Sequence, residues 1–201
     1  MAVVIRIDKE IEIPKYRRGE VLRYLGYTDG VCDAQTEALI ESCYRELCRT
    51  ITPKACFTEG KIERIGGGYL SVCGIDLESR ALEKNLALCH RAAVFGATLG
   101  VGADRLIARY ASTSPSKSVV FDAVASSLIE VYCDSVCEMI ACGRELNPRF
   151  SAGYGDLALD SQTKIAELLS LQKNIGICLT ESLMMTPTKS VTAIVGIKKE
   201  K

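Results

Sequence analysis

The sequence lacks a surplus of charge of either sign, because 25 Lys and Arg residues balance 25 Asp and Glu residues. A nucleic-acid-binding protein usually carries a basic surplus, so this class is disfavoured. Long apolar runs are also missing, and none approaches the roughly 18 residues of a membrane span. The opening MAVVIRIDKE lacks the basic-then-apolar order of a signal peptide. We therefore expect a cytoplasmic protein that binds neither nucleic acid nor membranes.

Histidine is nearly absent, since His90 is the only one, whereas cysteine is frequent with ten residues. No pair of cysteines is spaced as C-x-x-C, and several fall inside apolar helical patterns where a thiol acts as a small hydrophobe. We predict reduced, buried cysteines, no disulfide framework and no metal site. A metal or redox protein remains the alternative, because Cys133 and Cys137 would share a helix face and Cys142 follows nearby.

The order of patterns predicts one mixed α+β domain over residues 1–201, with helices and strands segregated along the chain. A triple glycine at 66–68, between two short β-prone runs, predicts a hairpin or a tight bend. Phosphate binding there is disfavoured, because the strand-like YLSV follows where a phosphate-binding loop needs a helix. The predicted elements are a strand over 3–7, a turn at Pro14, a short helix or irregular segment over 17–27, a helix over about 34–50 capped by Asp33, the hairpin or tight bend over 61–74, a helix over 77–88, a buried strand over 92–99, a helix over 100–110, a polar connection over 111–118, a long helix over about 118–143, a helix over about 161–171 and two strands around Pro187.

The long helix carries a row of five polar residues at intervals of four, and four of the five are acids. The row comprises Asp122, Ser126, Glu130, Asp134 and Glu138. Like charges at this spacing repel each other, and no Lys or Arg is interleaved. The row is therefore either a solvated face, or it lies partly along a cleft and meets a cation.

The stretch PRFSAGYGDLALD, residues 148–160, follows the long helix and combines residues suited to ligand binding. Arg149 can bind a carboxylate or phosphate through two parallel hydrogen bonds. Gly153 and Gly155 permit positive φ, and Tyr154 offers a flat ring with a polar tip. The pattern indicates an anion-binding loop. The alternative is a glycine-bearing turn whose arginine pairs with a nearby acid.

Four segments, in this order, resemble the activation (reactivation) domain of cobalamin-dependent methionine synthase. They are ATLGVG (97–102), FDAVASSLIEVYCD (121–134), the motif of Arg149, three residues and Gly153-Tyr154, and GICLTESLMMTPTKSVTAIVG (176–196). The resemblance covers residues 75–197 and implies the activation-domain fold, an α+β fold with a mixed antiparallel sheet and long helices. Residues 1–74 would form a divergent N-terminal portion of strand, helix and hairpin.

The resemblance implies a binding role and no catalytic residue of the chain's own. Arg149 would hold the carboxylate of S-adenosylmethionine, and Glu130 would face its ammonium or sulfonium group. Backbone of Ser151 and Gly153 would hydrogen-bond the ligand, and Tyr154 would pack beside it.

The implied function is that of a stand-alone activation subunit in a methyltransferase system that makes methionine. It would support reductive remethylation of cobalamin held by a partner, either a methionine synthase or another corrinoid methyltransferase. A flavodoxin or other reductase would supply the electron.

Two departures from the family leave a second interpretation open. The last strand of the family carries a tyrosine near the ligand, and residues 191–195 here contain no aromatic residue. An aspartate from the family's N-terminal portion has no evident counterpart among the first 70 residues. The alternative is a corrinoid-protein interaction module that has lost S-adenosylmethionine binding.

Overall fold

The computed structural model describes residues 3–7 and 15–198, and it has the predicted α+β architecture. Its strands are β1 (Ile5–Ile7), β2 (Lys54–Gly66), β3 (Tyr69–Val72), β4 (Ile75–Glu78), β5 (Cys89–Thr98), β6 (Cys178–Leu179), β7 (Met185–Thr186) and β8 (Ser190–Lys198). Its helices are α1 (Arg18–Tyr24), α2 (Ala34–Cys48), α3 (Arg80–Asn85), α4 (Val101–Thr113), α5 (Pro115–Ala141), α6 (Ser161–Leu169) and α7 (Leu171–Ile175). The turn expected at Pro14 lies outside the described residues.

An antiparallel sheet in the order β4-β3-β2-β5-β8 forms the centre of the fold, and β1 pairs with the first part of β2. Strand β5 lies between β2 and β8 and is paired on both sides. Its residues from Ala92 to Thr98 are buried, which confirms the predicted strand covered on both faces. Strands β6 and β7 form a separate two-stranded ribbon.

Helices cover both faces of the sheet. The alternation of β5 sends Ala93 and Phe95 towards a core shared with α1, α2, α4 and α5. It sends Ala92 and Val94 towards a second core shared with α3, α6 and α7. Two apolar layers therefore share one sheet, and β8 forms its edge beside the segment that follows α5.

Several predicted elements are confirmed by local chemistry. Asp33 caps α2, because its carboxylate accepts a hydrogen bond from the backbone N–H of Thr36 at 2.8 Å. Strands β2 and β3 form the predicted hairpin, and Gly67 and Gly68 take positive φ values of 70° and 96° at its turn. Strand β3 follows these glycines, so the helix that a phosphate-binding loop requires is not there.

The helix predicted from Leu77 to Leu88 is wrong in its first part. Leu77 instead lies in β4 opposite Leu70 of β3. Ser79 then ends the strand and starts α3, since its hydroxyl accepts from the N–H of Leu82 at 2.9 Å. Pairing with a neighbouring strand outweighs the helical periodicity here.

The polar connection predicted over 111–118 is also wrong. Helix α4 continues to Thr113 and α5 begins at Pro115, so Ser114 alone joins them. Proline suits the first position of a helix, because its fixed φ is helical and its missing N–H would have no partner there. Near the C-terminus, α6 is shorter than predicted, α7 follows it, and the predicted strands around Pro187 are β7 and β8. Among the described residues, no helix is long and apolar enough to cross a membrane.

We expect Gly102→Ala to destabilise the protein. Alanine usually stabilises a helix by about 1 kcal/mol relative to glycine. A Cβ atom at this position of α4 would stand 2.2 Å from the backbone carbonyl oxygen of Thr50, however, and backbone moves at a high cost. The net loss in the free energy of unfolding should be about 1–3 kcal/mol, as for other overpacked sites.

Urea denaturation measures this effect, with Gly19→Ala as the matched control. Gly19 lies in α1, is exposed, and has open space where its Cβ would stand. The control should leave the midpoint unchanged or raise it slightly. Equal midpoints for the two variants would contradict the proposed steric conflict.

Candidate functional site

The segment after α5 runs along the outer edge of β8. Phe150 and Ile194 exchange backbone hydrogen bonds of 2.9 and 2.8 Å, and the N–H of Asn147 donates to the carbonyl of Gly196 at 2.9 Å. Phe150 is buried in the core on the side of α3, α6 and α7. Side chains alternate along extended backbone, so Arg149 points to the opposite side, towards α5.

The guanidinium of Arg149 meets two acids of the predicted row on α5. Its Nη2 lies 2.7 Å from Oε2 of Glu130, and its Nη1 lies 3.2 Å from Oδ1 of Asp134. Nη1 also donates to the carbonyl oxygen of Glu130 at 3.4 Å. The sequence left two roles open for Arg149, which could bind an anion or pair with a nearby acid. The structure shows the pairing with acids.

Asp122, a third acid of the row, and the already paired Asp134 also meet cations from other distant parts of the chain. Lys189 lies 2.8 Å from Asp122, and Arg17 forms an ion pair with Asp134. The sequence shows no interleaved cation because all of these partners come from other segments. These ion pairs confirm that acids of the row meet cations, whereas a position of the row along a cleft stays a prediction. The row is also partly exposed to solvent.

The tip of the loop presents Tyr154, whose relative exposure is 68%. Its ring lies edge-to-face on the ring of Phe150, with centroids 5.4 Å apart and an angle of 84° between the planes. Gly153 and Gly155 have φ values of 83° and 60°, as their glycine character predicts. A Cβ at Gly155 would lie 3.2 Å from the Cβ of Ala81, which shows how closely the loop approaches α3.

Asp156 attaches this loop to the start of α3. Its carboxylate accepts hydrogen bonds from the hydroxyl of Ser79 and from the backbone N–H groups of Arg80 and Ala81, the latter two at 2.9 and 3.2 Å. The hydrogen bond from Ser79 is the main reason why the pKa of Asp156 lies below its usual value. Sequence reasoning missed this residue, because it placed residues 77–88 in one helix and so misjudged where α3 begins.

A cavity of about 540 Å³ opens between α3 and the loop. It brings together three of the predicted site residues, Arg149, Ser151 and Tyr154. Gly153 lies in the same loop outside the lining, and Glu130 lies at the guanidinium of Arg149, also outside the lining. The other lining residues are Ala81, Lys84 and Asn85 from α3, together with Pro148 and Phe150.

The chemistry of the cavity suits a ligand with an anionic group and a flat apolar part. Arg149 and Lys84 supply positive charge, while Phe150 and Tyr154 supply aromatic surface. Sequence reasoning did not find Lys84 or its neighbours in α3. Their spacing on a short helix carries no signal until the helix packs against the loop.

The cysteines lie apart from this cavity's lining. All ten are free thiols, and Cys43, Cys56, Cys73, Cys89 and Cys133 are buried. Burial raises the pKa of Cys137 to about 11, so its thiol is protonated at neutral pH. Within residues 3–7 and 15–198, no group of three or more His, Cys, Asp or Glu side chains is placed to hold a metal ion.

Comparison with known proteins agrees with the resemblance read from the sequence. Residues 147–201 match the family described as vitamin B12 dependent methionine synthase, activation domain. This range contains Arg149, Ser151, Gly153 and Tyr154, whereas Glu130 lies before it. None of the curated proteins compared with the chain matches it.

A solved structure extends the likeness to the whole chain. A crystal structure of the MetH reactivation domain bound to AdoHcy superposes with a TM-score of 0.73 at 16% sequence identity. The match covers 100% of this chain and 80% of that one. The resemblance to the activation domain of cobalamin-dependent methionine synthase is thus confirmed: the chain has the fold of that domain, and its C-terminal part matches the family.

Proposed function

We propose that the chain binds S-adenosylmethionine in the cavity between α3 and the 148–160 loop. It would act there as the activation subunit of a cobalamin-dependent methionine synthase or a related corrinoid methyltransferase. The observation that carries the proposal is the position of Arg149, which lines the cavity and pairs with Glu130 at 2.7 Å. A cation and an anion side by side complement the carboxylate and ammonium groups of an amino-acid ligand.

Each predicted residue has a separate role in this proposal. Arg149 binds the carboxylate, and Glu130 attracts the ammonium or the sulfonium charge. Tyr154 has most of its ring exposed and packs against the adenosine part. Ser151 and Gly153 offer backbone groups. The N–H of Gly153 already donates to the carbonyl of Leu157 at 2.8 Å, so Gly153 would contribute through its own carbonyl.

The chain's task would be to position the methyl group, and the reacting metal would belong to a partner. The corrinoid held by the partner would supply the nucleophile for the methyl transfer, and a flavodoxin or other reductase would supply the one electron that reduces it. The present chain would then retain S-adenosylhomocysteine. Arg149, Glu130 and Tyr154 would hold the ligand so that its methyl faces the partner.

A second function, corrinoid binding without S-adenosylmethionine, is favoured by two observations. The guanidinium of Arg149 already has two carboxylate partners without any ligand. Strand β8 carries Val191, Thr192, Ala193, Ile194 and Val195 where the family has a tyrosine. In this reading the fold would be kept for docking to the corrinoid protein alone.

Isothermal calorimetry with purified protein separates the two functions. We expect saturable binding of S-adenosylmethionine and of S-adenosylhomocysteine. Arg149→Ala should weaken binding by about 2 kcal/mol, roughly 30-fold, because it removes a charged hydrogen-bonding partner. The control Arg45→Ala removes an exposed arginine of α2 that pairs with Glu41, and it should leave the affinity unchanged.

The result that contradicts S-adenosylmethionine binding is the absence of heat change up to millimolar ligand. Capture of a corrinoid protein by a chain that shows no such heat change would support the second function. An equal loss of affinity in Arg149→Ala and Arg45→Ala would show that general positive charge, and not the guanidinium of Arg149, attracts the ligand.

Tyr154 gives an independent test of the aromatic contact. Tyr154→Ala should weaken binding of both ligands by about 1–3 kcal/mol, which is the usual contribution of an aromatic ring stacked on a base. Tyr154→Phe keeps the ring and should retain most of the affinity. Equal affinities for the alanine variant and the unmodified protein, measured by the same titration, would remove Tyr154 from the site.

A further inference from the structure

A chain of five charged side chains runs along one side of the candidate site. It links Glu20, Arg17, Asp134, Arg149 and Glu130 through successive ion pairs. Arg17 and Glu20 come from the N-terminal portion, Glu130 and Asp134 from α5, and Arg149 from the loop. The carboxylate of Asp134 is shared between two arginines. The inference drawn from this chain rests on the proposed function, because it concerns how Arg149 becomes free to bind a ligand.

Both terminal nitrogens of Arg149 are engaged by acids of α5. Nη2 contacts the carboxylate of Glu130, and Nη1 contacts the carboxylate of Asp134. A ligand carboxylate binds a guanidinium best through two parallel N–H groups. The contacts with the two acids use one N–H of Nη2 and the N–H groups of Nη1, and they place two negative charges beside the guanidinium. A ligand carboxylate that enters from the cavity therefore shares the positive charge of Arg149 with both acids.

Of the two acids, Asp134 is the one that a ligand displaces from Arg149 more easily. Its contact with Arg149 is 3.2 Å long, whereas the contact of Glu130 is 2.7 Å long. Asp134 also has a second cation at hand, because Arg17 pairs with it on another side. When Asp134 leaves Arg149, it still has a partner, so its release costs less than the release of Glu130 would.

Arg17 is held beside Asp134 by two further contacts. Its backbone N–H donates to the hydroxyl of Ser127 on α5 at 2.9 Å, and its Nη1 lies 3.2 Å from Glu20. The start of α1 is thereby attached to α5 about two turns before Asp134. These contacts keep the guanidinium of Arg17 beside the carboxylate of Asp134.

We propose that Asp134 is a resident competitor for the guanidinium of Arg149, and that Arg17, by holding Asp134, sets how readily Arg149 accepts a ligand carboxylate. Asp134 and Arg17 are positioning residues, since neither touches the ligand. The N-terminal portion of the chain thereby sets the affinity of a site that lies in its C-terminal part.

The first test compares two isosteric variants on α5 by calorimetry. Asp134→Asn removes the competing charge and should tighten binding of S-adenosylhomocysteine about two- to fivefold, as expected for one partly exposed ion pair. The control Asp122→Asn neutralises another acid of the same row, which pairs with Lys189 instead of Arg149. It should leave the affinity unchanged.

The choice of ligand distinguishes competition for the carboxylate from a general effect of charge or folding. 5′-Methylthioadenosine carries the nucleoside and thioether but has no amino-acid carboxylate. Asp134→Asn should therefore leave the affinity for 5′-methylthioadenosine unchanged and raise the affinity for S-adenosylhomocysteine. A variant whose site is merely loosened or misfolded would show a changed affinity for both ligands.

The second test asks whether Arg17 acts through Asp134. Arg17→Gln should weaken binding of S-adenosylhomocysteine about two- to fivefold, because Asp134 then pairs with Arg149 alone. In the double variant Arg17→Gln with Asp134→Asn, this loss should disappear and the affinity should equal that of Asp134→Asn. Such non-additivity is expected for residues that are in contact or belong to one ion-pair network, as Arg17 and Asp134 do.

Each outcome decides for or against the inference. Suppose that the unmodified protein binds S-adenosylhomocysteine. If Asp134→Asn then fails to tighten this binding, or if Arg17→Gln still weakens it in the double variant, the competition is overturned. The proposed function stands in either case. Binding by Asp134→Asn where the unmodified protein shows none would support the inference strongly. Absence of binding by both proteins removes the proposed function and this inference together.

Discussion

The guanidinium of Arg149 lies between two acids of α5 and an open cavity, and the candidate site depends on this arrangement. The backbone pairing of Phe150 with Ile194 at the edge of β8 produces it. Because Phe150 turns inward to the core, the preceding side chain must turn outward to the helix. A carboxylate that enters the cavity finds a cation whose geometry is already set, although its charge is partly satisfied by Glu130 and Asp134. In the proposed function, ligand binding would exchange one partner of Arg149 for another.

The walls of the cavity come from segments that are far apart in the chain and are joined by a few specific contacts. Asp156 ties the loop to the first turn of α3, and Gly155, which has a positive φ of 60°, lies so close to α3 that an added Cβ would stand 3.2 Å from the Cβ of Ala81. With its base held in this way, the loop can leave the ring of Tyr154 largely exposed. An exposed aromatic ring on a fixed support suits contact with a flat ligand, because little conformational entropy is lost on binding.

Local signals in the sequence were reliable where the local chemistry acts alone. The Asp33 cap, the hairpin at Gly67 and Gly68 and the long helix through residues 118–141 all follow from short-range rules. Predictions failed where a partner from elsewhere decided the outcome. Leu77 lies in β4 because β4 pairs with the edge of β3. The predicted polar connection over 111–118 is replaced by helix, because α5 begins at Pro115. The acids on α5 looked unpaired because Lys189, Arg149 and Arg17 are distant in sequence.

By itself, the sequence determined the fold class, the loop that carries Arg149, Gly153 and Tyr154, and the resemblance to the activation domain, because these depend on residue types and their order. Only the tertiary structure decided that Glu130 and Asp134 share the arginine, that Arg17 reaches Asp134, and that α3 forms the far wall of the cavity. The physical reason is that ion pairs and cavities depend on distances across the fold. Those distances are set by how the sheet and helices pack, and no spacing along the chain encodes them.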